Sequence, residues 1–300
     1  MAEPAAGRPV AALRTGPLEF AMLGGIGLLW GANFTLIKVG VGDIPPVTLT
    51  FARMALGALL LIAVAAARGV AWPRDLRTWA LLFALAVFGA GLPQGLIAWS
   101  EQTIDSGLAA ILMALMPVGA MLIAHAMTRD ERLRWRTAAG IGLGFGAMVV
   151  LVGADALSGL GHAVGPELAA AAAALCYSLN AVLARRVSHL PALVVGAVSL
   201  GFAALYSLPV ALIFERPWTI APSTEAVVAI VALGLVGTGA AALLYFALIN
   251  RAGATFLALS NYLVPLVGVA FGALFLGEAL RAQAWVAMAM VLGGLALARR

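Results

Sequence analysis

Ten long apolar stretches follow one another along this 300-residue chain, and the second five repeat features of the first five. The segment Trp30–Asn33 lies 147 residues before Tyr177–Asn180, and Glu131 lies 147 residues before Glu278. Each half holds five stretches, an odd number, so the second half must enter a membrane from the opposite side. Inverted repeats of this kind let one scaffold adopt two oppositely open states of similar energy.

Each apolar stretch has the length of a membrane-crossing helix, which needs about 20 apolar residues. Strands of a membrane barrel would instead alternate over about 10 residues. The predicted spans are 18–38, 46–68, 77–99, 106–128, 136–154, 166–185, 190–214, 224–249, 253–276 and 282–298. The sequence therefore predicts an all-α membrane protein of ten transmembrane helices. They form two inverted five-helix repeats, at 18–154 and 155–300, after a tail at 1–17.

The composition excludes a water-soluble globule. The chain is 63% hydrophobic and 10% charged, whereas soluble domains carry about 25% charged residues. The net charge of +5 does not indicate nucleic-acid binding, because the arginines flank the apolar stretches and do not form one basic face. The single cysteine, Cys176, excludes an internal disulfide and a multi-cysteine metal site. No metal and no cofactor is expected.

The distribution of lysine and arginine predicts the orientation in the membrane. With the amino terminus in the cytoplasm, fourteen of these residues lie in cytoplasmic segments and three, Lys38, Arg216 and Arg281, lie in outer segments. The remaining one, Arg53, lies inside a span. Cytoplasmic loops carry the excess of positive charge, so we expect a multi-pass protein of the inner membrane with both termini in the cytoplasm. No cleavable signal peptide is expected, because the first stretch is long enough to span.

The first helical hairpin carries a recognisable pattern. Trp30–Gly40 reads Trp-Gly-Ala-Asn-Phe-Thr-Leu-Ile-Lys-Val-Gly, and Ile44–Pro46 and Phe51–Arg53 follow it. This pattern resembles the first hairpin of the EamA family, within the drug/metabolite transporter superfamily. That family shows Trp-Gly-x-Asn-Phe, Ile-Lys-x-Gly, Pro-Pro and Arg in this order.

The resemblance extends over nearly the whole chain. Pro117 and Pro265 lie in spans four and nine, and Asp130–Leu133 and Gly277–Leu280 end these spans in the manner of the family's Gly-Glu-x-Leu. Asp130 departs from the family, which usually has glycine there. The resemblance implies ten helices, with spans one to four and six to nine around a central cavity and spans five and ten supporting them. It also implies export of amino acids and related metabolites.

Arg53 is the side chain whose position most needs a physical explanation. It lies about six residues, or roughly 9 Å, from the outer start of span two, and a charge buried in lipid must be compensated. Arg53 therefore points into the bundle, where it contacts a substrate anion or is pinned in place. A pin would use carbonyls at Pro45–Pro46 or a carboxylate. The carboxylates on the outer side are Asp43, Glu101 and Asp105. Lys38, at the outer end of span one, either lies at a cavity mouth or extends to the interface.

Polar and aromatic residues at matching depth complete the candidate site. Asn33 and Asn180 are repeat counterparts near the membrane midplane, where amides need partners. Interhelical hydrogen bonding is the alternative to substrate recognition for the asparagines, and packing or an interfacial belt is the alternative for the aromatics. The candidate cavity residues are Trp30, Asn33, Phe34, Lys38, Arg53, Gln94, Trp99, Tyr177, Asn180, Tyr245, Asn261 and Tyr262, and the candidate hinges are Pro117 and Pro265.

The leading interpretation is a secondary transporter that exports small metabolites such as amino acids by alternating access. Its partners are then a small-molecule substrate and the lipid bilayer, and the expected state is a monomer or a weak homodimer. A passive channel or facilitator, or a lipid-handling protein, is the alternative. An intramembrane enzyme is disfavoured, because His125, His162 and His189 are scattered and no acid lies well inside a span. For the same reason proton coupling stays open.

Overall fold

The structure is a computed structural model of the chain. It describes residues 16–113, 115–116, 119–120, 122–123, 139, 143, 164–257, 260–277, 285–286, 288–290 and 293. All regular secondary structure within these residues is helical. Six of the described helices are long and apolar enough to cross a membrane. The predictions that concern Pro117, Glu131 and Glu278 lie outside the described residues, as do most of spans five and ten and the part of span four from residue 124 onward.

The first half contains four described helices. They are α1 (Pro17–Gly40), α2 (Pro46–Ala67), α3 (Leu76–Glu101) and α4 (Ser106–Met113). Proline stands in the first turn of α1 and of α2, where its missing N–H costs no helical hydrogen bond. Within α3, Val87–Gly91 forms a turn of π-helix. The helix runs two residues beyond the predicted span 77–99, and this extension brings Glu101 onto its last turn.

The second half follows the same order. It contains α5 (Val164–Ala184, then a short 3-10 turn at Arg185–Val187) and α6 (Ala192–Val210, continued as π-helix at Ala211–Glu215). It continues with α7 (Thr224–Val231, π-helix at Ala232–Ala240, then Ala241–Leu257) and α8 (Ser260–Leu276). The π-helical part of α7 therefore corresponds in the repeat to that of α3.

One predicted boundary differs from the structure. We expected a loop between spans ending at 249 and starting at 253, but α7 stays helical to Leu257 and α8 begins at Ser260. Arg251 lies in this extra length, and its Nε donates to Glu19 Oε1 of α1 at 2.7 Å. The helical turn that carries Arg251 can lie at the end of an apolar span because the long arginine side chain reaches the carboxylate of Glu19.

The contacts between the helices repeat when each helix is exchanged for its counterpart in the other half. Helix α1 packs on α7 and α8, and correspondingly α5 packs on α3 and α4. Helix α2 packs on α7, and α6 packs on α3. The pairs α2 with α6 and α4 with α8 map onto themselves. A buried apolar cluster that includes Phe34, Ile97, Ala173 and Leu233 joins both halves.

Candidate functional site

Arg53 lies at a junction of four helices, two from each half of the chain. It is 3% exposed on α2. Its Nε donates to Thr238 Oγ1 of α7 at 2.8 Å, and its Nη1 donates to Gln94 Oε1 of α3 at 2.5 Å. Gln94 Nε2 in turn donates to the hydroxyl of Tyr177 on α5. Three of the predicted site residues, Arg53, Gln94 and Tyr177, are thus brought together, and we call this group with Thr238 the arginine cluster.

Three carboxylates were suggested as partners of Arg53. Glu101 is the last residue of α3, the helix that carries Gln94, and is 0% exposed. Asp43 accepts a hydrogen bond from Ser223 N at 2.9 Å, and Asp105 is exposed. The hydrogen bonds of the buried Arg53 guanidinium that the structure describes go instead to the neutral side chains of Thr238 and Gln94.

The guanidinium retains unused hydrogen-bonding capacity. Within the described part of the chain, its bonds leave from Nε and Nη1, and none leaves from Nη2. Arginine carries five N–H donors in a planar fork that matches a carboxylate. The arginine cluster therefore has the donors to hold a carboxylate without breaking its contact to Thr238.

Asn33 and Asn180 make equivalent contacts in the two halves. Asn33 is 6% exposed, and its Nδ2 donates to the carbonyl of Gly237 in the π-helical part of α7 at 3.2 Å. Asn180 lies against Gly89 in the π-helical turn of α3, so closely that a Cβ at Gly89 would overlap the amide. Single turns of π-helix inside α-helices are frequent at functional sites. Each asparagine thus packs on the widened turn of a helix from the other half.

Lys38 binds the end of α3. Its Nζ donates to the carbonyl oxygens of Glu101 and Ile104, both at 2.7 Å. The carboxyl end of a helix has unpaired carbonyls and partial negative charge, and it favours a cation there. This contact joins α1 to the connection between α3 and α4, and it places the Lys38 ammonium beside the backbone of Glu101.

The aromatic candidates divide among different environments. Phe34 is 6% exposed in the apolar cluster against which Tyr177 packs, while the rings of Trp30 and Tyr245 lie 5.7 Å apart. Trp99 is 47% exposed and lies beside the start of α5. This environment is typical of an aromatic residue in the interfacial belt.

The remaining candidates lie on α8. Its backbone is helical through Asn261, Tyr262 and Pro265, and the side chains of these three fall outside the described residues.

Two features of the site were not found from the sequence. Thr238 was missed because a threonine in an apolar span gives no signal by itself. Glu101 was considered only as one of three outer carboxylates, since its burial depends on the packing of α3. An apolar cavity of about 220 Å³ lies elsewhere, and Ile44, Thr48 and Pro217 are among the residues that line it. In the arginine cluster, Arg53 is buried, whereas Gln94, Tyr177 and Thr238 are half-buried.

Comparisons with known proteins agree with the architecture. The EamA-like transporter family matches residues 19–153 and again residues 165–300, as the resemblance of the first hairpin predicted. The chain is 30% identical over 285 residues to the aromatic amino acid exporter YddG of Ancylobacter novellus, covering 90% of this chain and 93% of that protein. It is 25% identical over 276 residues to the uncharacterized inner membrane transporter YedA of Escherichia coli (strain K12), covering 91% and 87%. A solved crystal structure with 25% identity has a TM-score of 0.67 and covers 95% of this chain and 98% of that one.

Proposed function

Because this chain belongs to the EamA-like transporter family, we propose that it is a secondary transporter that exports small metabolites such as amino acids by alternating access. The family places the chain among membrane transporters, with a small-molecule substrate and the bilayer as partners. The name of the relative YddG, an aromatic amino acid exporter, supports an amino acid as substrate.

The proposed architecture is ten helices in two inverted five-helix repeats, at 18–154 and 155–300, with the tail 1–17 and both termini in the cytoplasm. The exchange symmetry of the helix contacts supports it. So do the equivalent contacts of Asn33 on Gly237 and of Asn180 on Gly89. Inner-membrane placement is supported by the name of the relative YedA.

The observation that carries the proposal is the position of Arg53 between the two halves. Its partners Gln94 and Thr238 belong to different halves, so any movement of one half against the other must change the arginine cluster. We assign the substrate carboxylate to Arg53, assisted by Gln94 and Tyr177. The side chain of the substrate is assigned to the aromatic residues Trp30 and Phe34 on α1.

The other candidates are assigned around this centre. Asn33 and Asn180 line the cavity at the membrane midplane, and Lys38 and Trp99 line it nearer the outer side. Tyr245, Asn261 and Tyr262 complete the cavity wall on α7 and α8. Pro117 and Pro265 are assigned as hinges, because proline removes a helical hydrogen bond.

A passive channel, a lipid-handling protein and an intramembrane enzyme are the competing functions. The names of the family and of the relatives indicate transporters rather than enzymes. A counterflow assay distinguishes the proposed transporter from a channel and from a lipid-handling protein, because counterflow requires a binding site that faces one side of the membrane at a time. Proteoliposomes preloaded with unlabelled amino acid should accumulate external labelled amino acid transiently, and protein-free liposomes should not.

The purified protein, which we propose is a monomer or weak homodimer, is assayed in proteoliposomes with a panel of amino acids, with and without a pH gradient. Accumulation without a gradient supports alternating access, and a further increase with the gradient supports proton coupling. Equilibration without transient accumulation for every member of the panel contradicts the proposal and favours a channel.

A further inference from the structure

The π-helical turn of α3 is contacted on two faces by side chains from the second half of the chain. Asn180 of α5 lies against Gly89, and Tyr206 of α6 lies against Gly91, each so closely that a Cβ at the glycine would overlap the side chain. The Tyr206 hydroxyl also donates to the carbonyl of Ala86, at the start of this turn, at 3.4 Å. The shape of the turn is thus supported by helices that belong to the other half.

The turn sets the direction in which Gln94 points. A π-helical turn closes with one residue more than an α-helical turn, so the helix after it is rotated by about 100°, one residue's share of a turn, relative to an unbroken α-helix. The part of α3 before the turn packs on α6, where the Phe83 ring meets Phe202 and Tyr206 edge-on, with centroids 5.4 and 6.2 Å apart. Gln94 follows the turn, so its hydrogen bonds in the arginine cluster depend on the turn remaining widened.

We propose that Tyr206 is a positioning residue for the substrate site: it keeps the turn of α3 widened and thereby holds Gln94 in the arginine cluster. The inference rests on the transport function proposed above, in which Gln94 assists Arg53 in binding the substrate carboxylate. The π-helix is rare and occurs mostly as single turns inside α-helices, which indicates that such a turn needs contacts from outside the helix. Tyr206 supplies them, because its ring lies against Gly91 and its hydroxyl reaches the Ala86 carbonyl.

Tyrosine suits this position because it combines an apolar ring with a hydrogen-bonding hydroxyl. The half-buried Tyr206 packs against a buried apolar cluster that includes Met54 of α2 and Ala90 of α3, and a buried tyrosine hydroxyl usually finds a hydrogen-bond partner. Within the described residues, this hydroxyl donates to Ala86 and to no member of the arginine cluster. Tyr206 therefore acts on the substrate site through the turn of α3.

A double-mutant cycle between Tyr206 and Gln94 tests the proposal on the full-length protein, by counterflow of L-phenylalanine in proteoliposomes and by thermal unfolding. Tyr206→Leu removes the ring and the hydroxyl, and it should raise KM about tenfold, which is within the range of coupling between residues of one network. In a Gln94→Ala background the same substitution should leave KM unchanged, because the side chain that Tyr206 positions is already absent.

Phe202→Leu is the matched control. It removes a neighbouring ring of α6 that packs on Trp79 and Phe83, before the turn. It should lower the thermal stability and leave KM unchanged. Tyr206→Phe keeps the ring and loses only the hydroxyl, so its KM should lie between those of the wild type and Tyr206→Leu.

Two results of the cycle overturn the inference. One is a KM that Tyr206→Leu raises equally with and without the Gln94 side chain. The other is an unchanged KM in Tyr206→Leu with a loss of stability like that of Phe202→Leu, which would make Tyr206 a packing residue only. If Tyr206→Leu does not fold, Tyr206→Phe is carried through the same cycle, and a wild-type KM in that variant overturns the inference.

Cross-linking tests the position of residue 94 without transport. Gln94→Cys and Tyr177→Cys, combined in a Cys176→Ala background, should be joined by a short bis-maleimide, because the two native side chains meet. Adding Tyr206→Leu should largely prevent the cross-link, and adding Phe202→Leu should not. An unchanged yield with Tyr206→Leu overturns the inference. A wild type that counterflows no amino acid overturns the proposed function, and the cross-link then still decides whether Tyr206 positions residue 94.

Discussion

Asn33 and Gly237 join the two halves of the chain, because Asn33 Nδ2 donates to the Gly237 carbonyl at 3.2 Å. The repeat counterparts, Asn180 and Gly89, lie against each other in the same way. In both pairs the glycine belongs to a π-helical segment. Helix α1 is therefore held to α7, and α5 to α3, by matching contacts that a movement of one half against the other must alter.

Alanine at either glycine should disrupt these contacts. A Cβ at Gly237 would overlap the Asn33 amide, and a Cβ at Gly89 would overlap the Asn180 amide. We expect Gly237→Ala and Gly89→Ala each to lower thermal stability and transport, as overpacking costs about 1–3 kcal/mol.

The control is Gly201→Ala, because nothing lies within 4 Å of a Cβ at Gly201. Adding Asn33→Ala to Gly237→Ala should restore stability, since the amide that clashes is gone. Wild-type stability and transport in both single variants, measured by thermal unfolding and counterflow, would show that the close contacts are unimportant.

Substitution of Arg53 should separate binding from folding. Arg53→Ala leaves the Gln94 and Thr238 oxygens without their donor, so both yield and transport should fall. Arg53→Lys keeps the charge but loses the planar fork. It should be made in normal amounts and transport at least about tenfold more slowly. Normal transport by Arg53→Lys at normal yield would contradict bidentate binding of a carboxylate.

Lys38 should contribute more to stability than to affinity. Lys38→Met keeps an unbranched side chain but removes both hydrogen bonds to the end of α3. We expect the free energy of unfolding to fall by about 1–3 kcal/mol, the range for hydrogen bonds to charged groups, with an unchanged KM in the protein that remains folded. Lys38→Arg should retain most of the stability. A raised KM at unchanged thermal stability would instead place Lys38 at the cavity mouth.

The connection between α1 and α2 should loosen in acid. Asp43 accepts a hydrogen bond from the backbone of Ser223 at the start of α7, and hydrogen bonds from the Ser223 side chain and backbone hold the pKa of Asp43 below its ordinary value. Because the folded pKa is depressed, the stabilisation is complete at neutral pH and is lost as the pH falls through that pKa, below about pH 4.

Hydrogen exchange in the first turn of α7, corrected for the intrinsic rate, should therefore show protection that decreases at acid pH. Asp43→Asn has no charge to lose and should show a flat profile over the same range. The same acid-dependent loss in Asp43→Asn would assign the effect to another group.

The long helices are predictable from the sequence, because apolar length alone decides whether a segment can span. The predicted span 77–99 and the helix Leu76–Glu101 illustrate the agreement. The inward position of Arg53 is predictable for a related reason, since lipid cannot accommodate an isolated charge. The residue at which one helix ends and the next begins is less predictable. A loop was expected after residue 249, but the helix continues through Arg251 to Leu257.

The partners of Arg53 were not predictable with the same certainty. Depth in the membrane follows from counting residues, but the face that α3 or α7 turns inward depends on packing. The π-helical segments shift that face by inserting an additional residue per turn, and apolar segments such as Val87–Gly91 carry no sequence signal for it. Thr238 lies within such a segment, and Glu101 lies on a helix that contains one.

The most direct test of alternating access is side-specific labelling of a cysteine at position 180, in a Cys176→Ala background, with a membrane-impermeant thiol reagent. Asn180 is only half-buried and lies beside Gly89 between the halves. The account predicts that the cysteine is labelled from one side of the membrane at a time, that L-phenylalanine protects it, and that Arg53→Lys, which should be made in normal amounts, weakens the protection. Simultaneous labelling from both sides, or labelling that no transported amino acid slows, would contradict a substrate site at the junction of the two halves.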